Sequence, residues 1–388
     1  MNYLTTYDYL SSNLLLDFGN FFACLIFIFL CQKYFNIKKI HVYFLILHSL
    51  LPFFINDFFM NYSYMPDQTR YIFYSDIFRN YEDQKMINYG LKNFDNSFFF
   101  SKTSTASYLL SLVPVPNTMT IRSLGFANKI LFIVLFSYLY KKKILGNYTA
   151  YIYLVYPSYA LYSGIALKEM LCFMIMILSI EKAYNYNLRN FFYIILLCLI
   201  TYLVKFQHLV FMLPIIIILI LNIGNFKING YGKSVYIIFI IFGLVGSSLF
   251  FNFYKEEFNN IRLSFFVDDG NITENYNYID NYLEFLKVSI VEITRGLVYP
   301  LPAFDGNIYR KFQFLENVLV IFTIIFISYI SLKKDFKRSF IWVIFLFYSM
   351  ALTSMVVENI GTLSRYKFSI ILTYLIFIFY SSKYEKKN

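Results

Sequence analysis

Charge is what this 388-residue sequence has least of: 15% of its residues are Asp, Glu, Lys or Arg, against 59% hydrophobic, with a mean hydropathy of +0.55. No soluble domain carries that balance, so a water-soluble enzyme is excluded and a polytopic membrane protein is implied. Cysteine is scarce as well. Cys24, Cys31, Cys172 and Cys198 all fall in or beside apolar runs, without metal-ligand spacing or an obvious disulfide partner, and read as small core residues. Of the three histidines, His41 and His48 share one apolar run, which disfavours a zinc-type centre. A Walker loop, a dinucleotide-binding glycine pattern, a zinc pair and a nucleophile elbow are all missing, which argues against a primary pump or a metalloprotease. There is no internal repeat, heptad run or low-complexity tail.

Acidic residues are fewer than basic ones, leaving a net charge of +11. No basic patch stands apart from the apolar runs, so a nucleic-acid partner is not expected, and membrane topology explains the charge better. Aromatics are abundant, with 47 Phe and 38 Tyr. An AT-rich coding sequence accounts for that excess more simply than an aromatic-specific role. The first apolar run lacks a basic leader and a small-residue cleavage site, so it is expected to be a retained span and not a signal peptide.

Runs of apolar residues bounded by charge or turn residues predict an all-α, polytopic transmembrane helical bundle of about eleven spans, a single integral membrane domain over 1–388. The spans fall near 14–32, 40–59, 119–140, 148–164, 166–182, 190–205, 208–223, 234–254, 313–331, 339–357 and 366–382. Arg122 and Lys129 interrupt the third, and Pro157, Ser163, Gly164 and the Lys168-Glu169 pair place a turn between the fourth and fifth. With the N-terminus outside, the inner connections hold 17 of the 34 basic residues but only Glu181, Asp335 and Glu385 of the 23 acids. That asymmetry is the positive-inside pattern and also puts the C-terminus in the cytoplasm. Two outer loops are long, about 60–118 and 255–312. The segments 67–79 and 105–113 are expected to be short interfacial helices, and Asp76, Glu82, Asp83 and Asp95 to be solvated.

Ionisable residues at the outer ends of spans carry the functional signal, because such groups are costly near hydrocarbon and face protein cavities. Asp67 follows Pro66 at a helix start and shares a face with Arg70. It is either a helix-dipole carboxylate paired with Arg70 or a residue that acts on a ligand. Lys168 and Glu169 are adjacent and either form an ion pair at a hairpin tip or, because adjacent side chains diverge by about 100° on a helix, meet different partners. Lys205 and His208, three apart on one face, either anchor at the headgroups or together grip an anionic oxygen. Arg295 precedes a Pro300/Pro302 corner and Arg365 follows a Gly361-Thr362 turn. Each is either an interface anchor or a bidentate phosphate ligand.

Pro66-Asp67-Gln68-Thr69-Arg70-Tyr71, Tyr156-Pro157-Ser158 with Lys168-Glu169, Lys205-Phe206-Gln207-His208, Pro300-Leu301-Pro302 before Glu316, and Asn359-Ile360-Gly361-Thr362 with Arg365 form a pattern that resembles bacterial polysaccharide-assembly membrane proteins. These are the GT-C glycosyltransferases and the O-antigen-polymerase-like proteins. The resemblance is architectural, and here the Asp67 loop follows the second span and no soluble C-terminal domain is attached. It implies an enzyme of the bacterial cytoplasmic membrane that transfers sugars from a polyprenyl-phosphate or polyprenyl-pyrophosphate donor to a glycan acceptor at the outer face. Asp67 would then be the catalytic base, with Arg365, Arg295, Lys168, Lys205 and His208 on the donor phosphate and Arg70 and Glu169 beside them. No cofactor is required. A divalent metal ion could assist by neutralising phosphate, although no carboxylate cluster demands one. A repeat-unit polymerase, a transporter or flippase for the same lipids, and a non-enzymatic member of an assembly complex are the alternatives, with membrane lipids as partners in all.

The charge count makes a direct prediction: reporter fusions at residues 67 and 365 should both read out on the face opposite the C-terminus. Signals from opposite faces for those two positions would end the single-site expectation.

Overall fold

The computed structural model of the chain describes residues 14–55, 67–80, 102–118, 120–221, 248, 251–264, 277–299, 308–357 and 360–382. Among the described residues every element is helical and there is no strand, as an apolar medium requires of a chain whose backbone groups must bond within the segment. In chain order the helices are α1 (Leu14–Phe35), α2 (Lys39–Phe54), α3 (Asp67–Asn80), α4 (Lys102–Ser111), α5 (Ser123–Lys141), α6 (Asn147–Val155), α7 (Pro157–Tyr162), α8 (Glu169–Tyr184), α9 (Leu188–Ile220), α10 (Tyr282–Val298), α11 (Ile308–Lys334), α12 (Phe336–Val356) and α13 (Ile360–Ser381), with a further helical stretch at 251–264.

Six of them, α1, α5, α9, α11, α12 and α13, are long and apolar enough to cross a membrane, and α2 is a shorter apolar helix. The chain is a multi-pass membrane protein. The count of about eleven is not reached among the described residues, for local reasons. The fourth expected span is split into α6 and α7, because Tyr156 is extended (ψ 112°) and Pro157 supplies no amide hydrogen. The fifth is α8, only 16 residues long. The sixth and seventh run together as α9, broken only at Lys205, whose extended backbone (φ −159°, ψ 87°) joins 188–204 to 206–220 without a loop. Most of 234–254 lies outside the described residues, as do Glu82, Asp83 and Asp95. The expected short helices over 67–79 and 105–113 are α3 and α4. Asp76, expected to be solvated, is instead buried in α3 and accepts a hydrogen bond from Thr118 Oγ1 (3.5 Å).

The chain divides into two compact units, Met1–Ile217 and Ile218–Asn388. In the first, α5 is the central helix, touching α1, α2, α3, α4, α6 and α8. It is buried nearly all round, as a helix apolar on every face must be. A close approach allows this: a Cβ on Gly125 would sit 2.5 Å from the Gly164 carbonyl oxygen. Aromatic rings fill the space beyond. Phe132, Tyr153 and Tyr159 pack with each pair of centroids 4.9 Å apart. The Tyr159 hydroxyl donates to Tyr153 (2.6 Å), and Tyr153 donates to the Phe132 carbonyl (3.1 Å), so neither buried hydroxyl is stranded. α1 joins through a buried polar set in which Asp17 accepts from Thr120 Oγ1 (2.5 Å) and Arg122 Nη1 (3.1 Å). Asn20 exchanges two bonds with the Asn117 backbone.

In the second unit α12 packs against α10, α11 and α13. Gly296 lets α10 lie on α12, since a Cβ there would sit 2.0 Å from Ser354 Oγ. α10 starts where the Asn281 side chain accepts the Glu284 amide (2.9 Å), an N-cap that satisfies one orphan donor. At its other end Lys367 donates to the Gly296 (3.3 Å) and Tyr299 (3.2 Å) carbonyls and to Asn317 Oδ1 (2.6 Å). Asn317 in turn donates to the Val298 and Tyr299 carbonyls.

Gly125→Ala should destabilise the protein by about 1–3 kcal/mol, the usual cost of overpacking. Gly19→Ala, where nothing lies within 4 Å, should be neutral or slightly stabilising. Thermal unfolding of the detergent-solubilised protein measures both, and equal melting temperatures would mean that α5 does not depend on the Gly164 contact.

Candidate functional site

The site grows from an irregular stretch, residues 163–168, that links α7 to α8. Non-helical backbone inside an apolar protein is tolerated only where side chains satisfy its polar groups. Here α5 and α3 do so. Asn128 Nδ2 donates to both the Ile165 and Leu167 carbonyls (2.7 Å each), and Lys129 Nζ donates to the Ala160 carbonyl (2.9 Å) and Ser163 Oγ (2.8 Å). Gln68 Oε1 accepts from the Ala166 amide (3.2 Å). Five bonds from three side chains therefore fix the chain just before Lys168 and Glu169.

Lys168 and Glu169 then part, as adjacent helical positions should. Lys168 Nζ donates to the Val204 carbonyl (3.0 Å), one of those freed where α9 breaks. Glu169 opens α8, where the helix dipole favours a carboxylate, and lies 3.7 Å from Lys205 Nζ. Both partners are almost fully buried, at 1% and 3% exposure. At 3.7 Å the pair attracts without the short, directed geometry of the strongest ion pairs. Three residues on, His208 is 1% exposed, and neither ring nitrogen has a hydrogen-bond partner among the described residues. The charges of Lys205, Glu169 and Lys168 all act on the ring, and Cys172 lies in the same field.

Four sequence-predicted residues, Lys168, Glu169, Lys205 and His208, thus come together in the first unit. Asp67 is the half-buried first residue of α3, next to Gln68, whose side chain is tied to Ala166. Arg70, one turn on, is exposed. Arg295 and Arg365 belong to the second unit. The Arg295 guanidinium donates to the Ser354 (2.9 Å) and Val357 (3.2 Å) carbonyls at the end of α12 and pairs with Glu292 (2.6 Å). Arg262 donates to the neighbouring Met355 carbonyl (2.9 Å). Arg295 therefore serves a helix terminus, a role that neither half of its sequence expectation named. Arg365 is half-buried within α13. Among the described residues no three of His, Cys, Asp and Glu are grouped to hold a metal ion. His48 bonds the Leu154 carbonyl, and His41 lies edge-on to Phe136, Tyr140 and Tyr151.

Sequence reasoning missed Asn128, Lys129 and Gln68, and in the second unit Lys367 and Asn317. The signal for Lys129 was present: a cation within an apolar run needs a partner, and the irregular Ser163-Gly164 segment offers carbonyls. Asp17 in the first run and Arg122, which shares the third with Lys129, carried the same signal.

Chemically, two lysines, one carboxylate and an imidazole stand together in a low-dielectric setting, with the basic side chains outnumbering the acidic one. That suits an anionic group able to draw Lys205 from Glu169 and to bond His208. Glu169→Gln should destabilise the protein by about 3–5 kcal/mol, because it leaves the Lys205 ammonium buried without its counter-charge. Adding Lys205→Met to that variant should recover most of the loss. Strictly additive losses in the double-variant cycle would show that the two charges do not interact. Compared with protein-family models, with curated proteins and with solved structures, the chain matches none.

Proposed function

We propose that this protein is a membrane glycosyltransferase that takes a sugar from a polyprenyl-phosphate-linked donor at the outer face of the bacterial cytoplasmic membrane, in cell-surface polysaccharide synthesis. The observation that carries the reading is His208: a buried imidazole with neither nitrogen bonded among the described residues, in the field of Lys205 and Lys168, at a break in a membrane helix. A buried polar ring of that kind costs stability unless something else bonds it, and a phosphate oxygen is the matching partner.

In this reading the acceptor hydroxyl attacks the anomeric carbon and the bond from that carbon to the donor phosphate oxygen breaks. The bonding pair leaves on the phosphate, where Lys205 and His208 stabilise the growing charge. The hydroxyl proton passes to the Asp67 carboxylate, poised at the start of α3. Arg365 belongs to the second unit and is given no part in this step. Arg295, already spent on the end of α12, is a positioning residue only.

A second reading, a transporter or flippase for the same lipids, is favoured by one observation: a transmembrane helix discontinuous at a buried cation, as many transporters build their substrate sites. Lipid-linked oligosaccharides from cells with and without the gene separate the cases. Loss of one sugar supports a transferase, accumulation of single repeat units a polymerase, and inner-leaflet accumulation a flippase. Asp67→Asn should abolish glycan transfer while leaving expression and membrane insertion intact. His208→Phe should lower it by roughly 10²–10³-fold, the cost of removing one donor to a developing oxyanion. Normal glycan output from Asp67→Asn would remove the base assignment, and normal output from His208→Phe would remove the phosphate contact.

A further inference from the structure

Away from the site just described, the first unit carries a groove of about 600 Å³ between α5, α8 and α9. Its floor is apolar, formed by Val134, Leu135, Met174 and Leu178. One end is different. Lys182 Nζ and Lys142 Nζ each lie 5.8 Å from the centre of the Tyr138 ring, and the Arg189 guanidinium lies 5.8 Å from the Tyr193 ring. Lys182 is held by the Tyr138 hydroxyl (3.2 Å) and by Glu181 (3.0 Å), whose carboxylate also accepts from Tyr138 (3.0 Å). Three cations against one buried carboxylate leave this end positive, with Lys142 and Arg189 exposed.

We propose that this groove binds one anionic glycerophospholipid, its phosphate at Arg189, Lys142 and Lys182 and an acyl chain along Leu178 and Val134. Charge complementarity selects the headgroup and the apolar floor selects the chain. Basic pockets between membrane helices recognise acidic lipids in this way. The tyrosines present their rings to the cations and fix them at the rim. The same connection, 181–190, belongs to the face that the charge count assigns to the cytoplasm, the leaflet opposite the proposed sugar transfer. The inference is therefore independent of that reading.

The test uses the full-length protein in detergent, exposed to equal amounts of phosphatidylglycerol and phosphatidylcholine with identical acyl chains and read by native mass spectrometry. One phosphatidylglycerol should be retained in preference to phosphatidylcholine. Arg189→Gln and Lys142→Gln should each reduce that preference about fivefold, the usual effect of one surface cation on an anionic lipid. Both residues are exposed, unlike Lys182, whose loss would take the paired cation from the buried Glu181 carboxylate. Leu178→Trp, which fills the groove without changing charge, should displace the lipid altogether. Equal retention of the two lipids by the native protein would overturn the proposal, as would an unchanged preference in both charge variants. Equal competition by glycerol 3-phosphate, which has the headgroup charge without the chains, would overturn it in favour of a free phosphate site.

Discussion

A helix that ends inside an apolar protein leaves up to four carbonyls without partners, and no water is there to take them. That constraint organises this molecule. α6 ends at Val155, and His48 takes the Leu154 carbonyl; α7 ends at Tyr162, and Lys129 takes the carbonyl of Ala160. The helix 188–204 ends at the Lys205 break, and Lys168 takes the carbonyl of Val204. In the second unit Lys367 and Asn317 serve the end of α10, and Arg295 and Arg262 serve the end of α12. A cation is the best group for this work, because it both donates the hydrogen bond and opposes the negative end of the helix dipole.

This divides the cations of an apolar chain into two kinds that composition cannot tell apart. Those that cap a helix end have their hydrogen bonds committed to carbonyls, and the energy of an unmet carbonyl, about 1–3 kcal/mol, holds them there. Lys129, Lys168, Arg295 and Lys367 are of this kind. Lys205 differs, because its ammonium faces a carboxylate at 3.7 Å and its backbone makes the break instead of sealing it. His208 differs further, since it meets no acceptor or donor at all among the described residues. The arithmetic of charge therefore overstates how many basic groups are available to a ligand.

Much of the architecture was legible in the sequence. Apolar runs bounded by charge located α1, α5, α11, α12 and α13, but α5 begins four residues later than expected, and α11 and α13 begin five and six residues earlier; Asp67 after Pro66 does begin a helix. Helix geometry offered the divergence of Lys168 and Glu169 as one of two readings, and their separate partners, Val204 and Lys205, decide between them. What was not legible is tertiary. Arg122 and Lys129 weaken a hydropathy pattern, and only a folded neighbour shows that Asp17 and the Ala160 carbonyl complete them. Asp76 in a long polar loop looks solvated until α3 and Thr118 close over it. The expected spans 190–205 and 208–223 leave a two-residue turn at 206–207. One extended residue suffices, since Lys168 supplies the partner that a turn would otherwise have to provide from within itself.

The same pair of residues, Lys168 and Glu169, therefore supports fold and site together. Lys168 completes the helix that ends at Val204, and Glu169 offsets the charge of the residue that follows it. A change at either position disturbs the α8 start and the α9 break at once, so a loss of activity there says little about chemistry. His208 is the informative position. Among the described residues its imidazole supports no group by a hydrogen bond, so a ring of similar shape there tests the polar contact with the least disturbance of the fold. Two nitrogens left without a partner among the described residues carry a cost in the interior, and a phosphate oxygen is the group that the proposed function would bring to them.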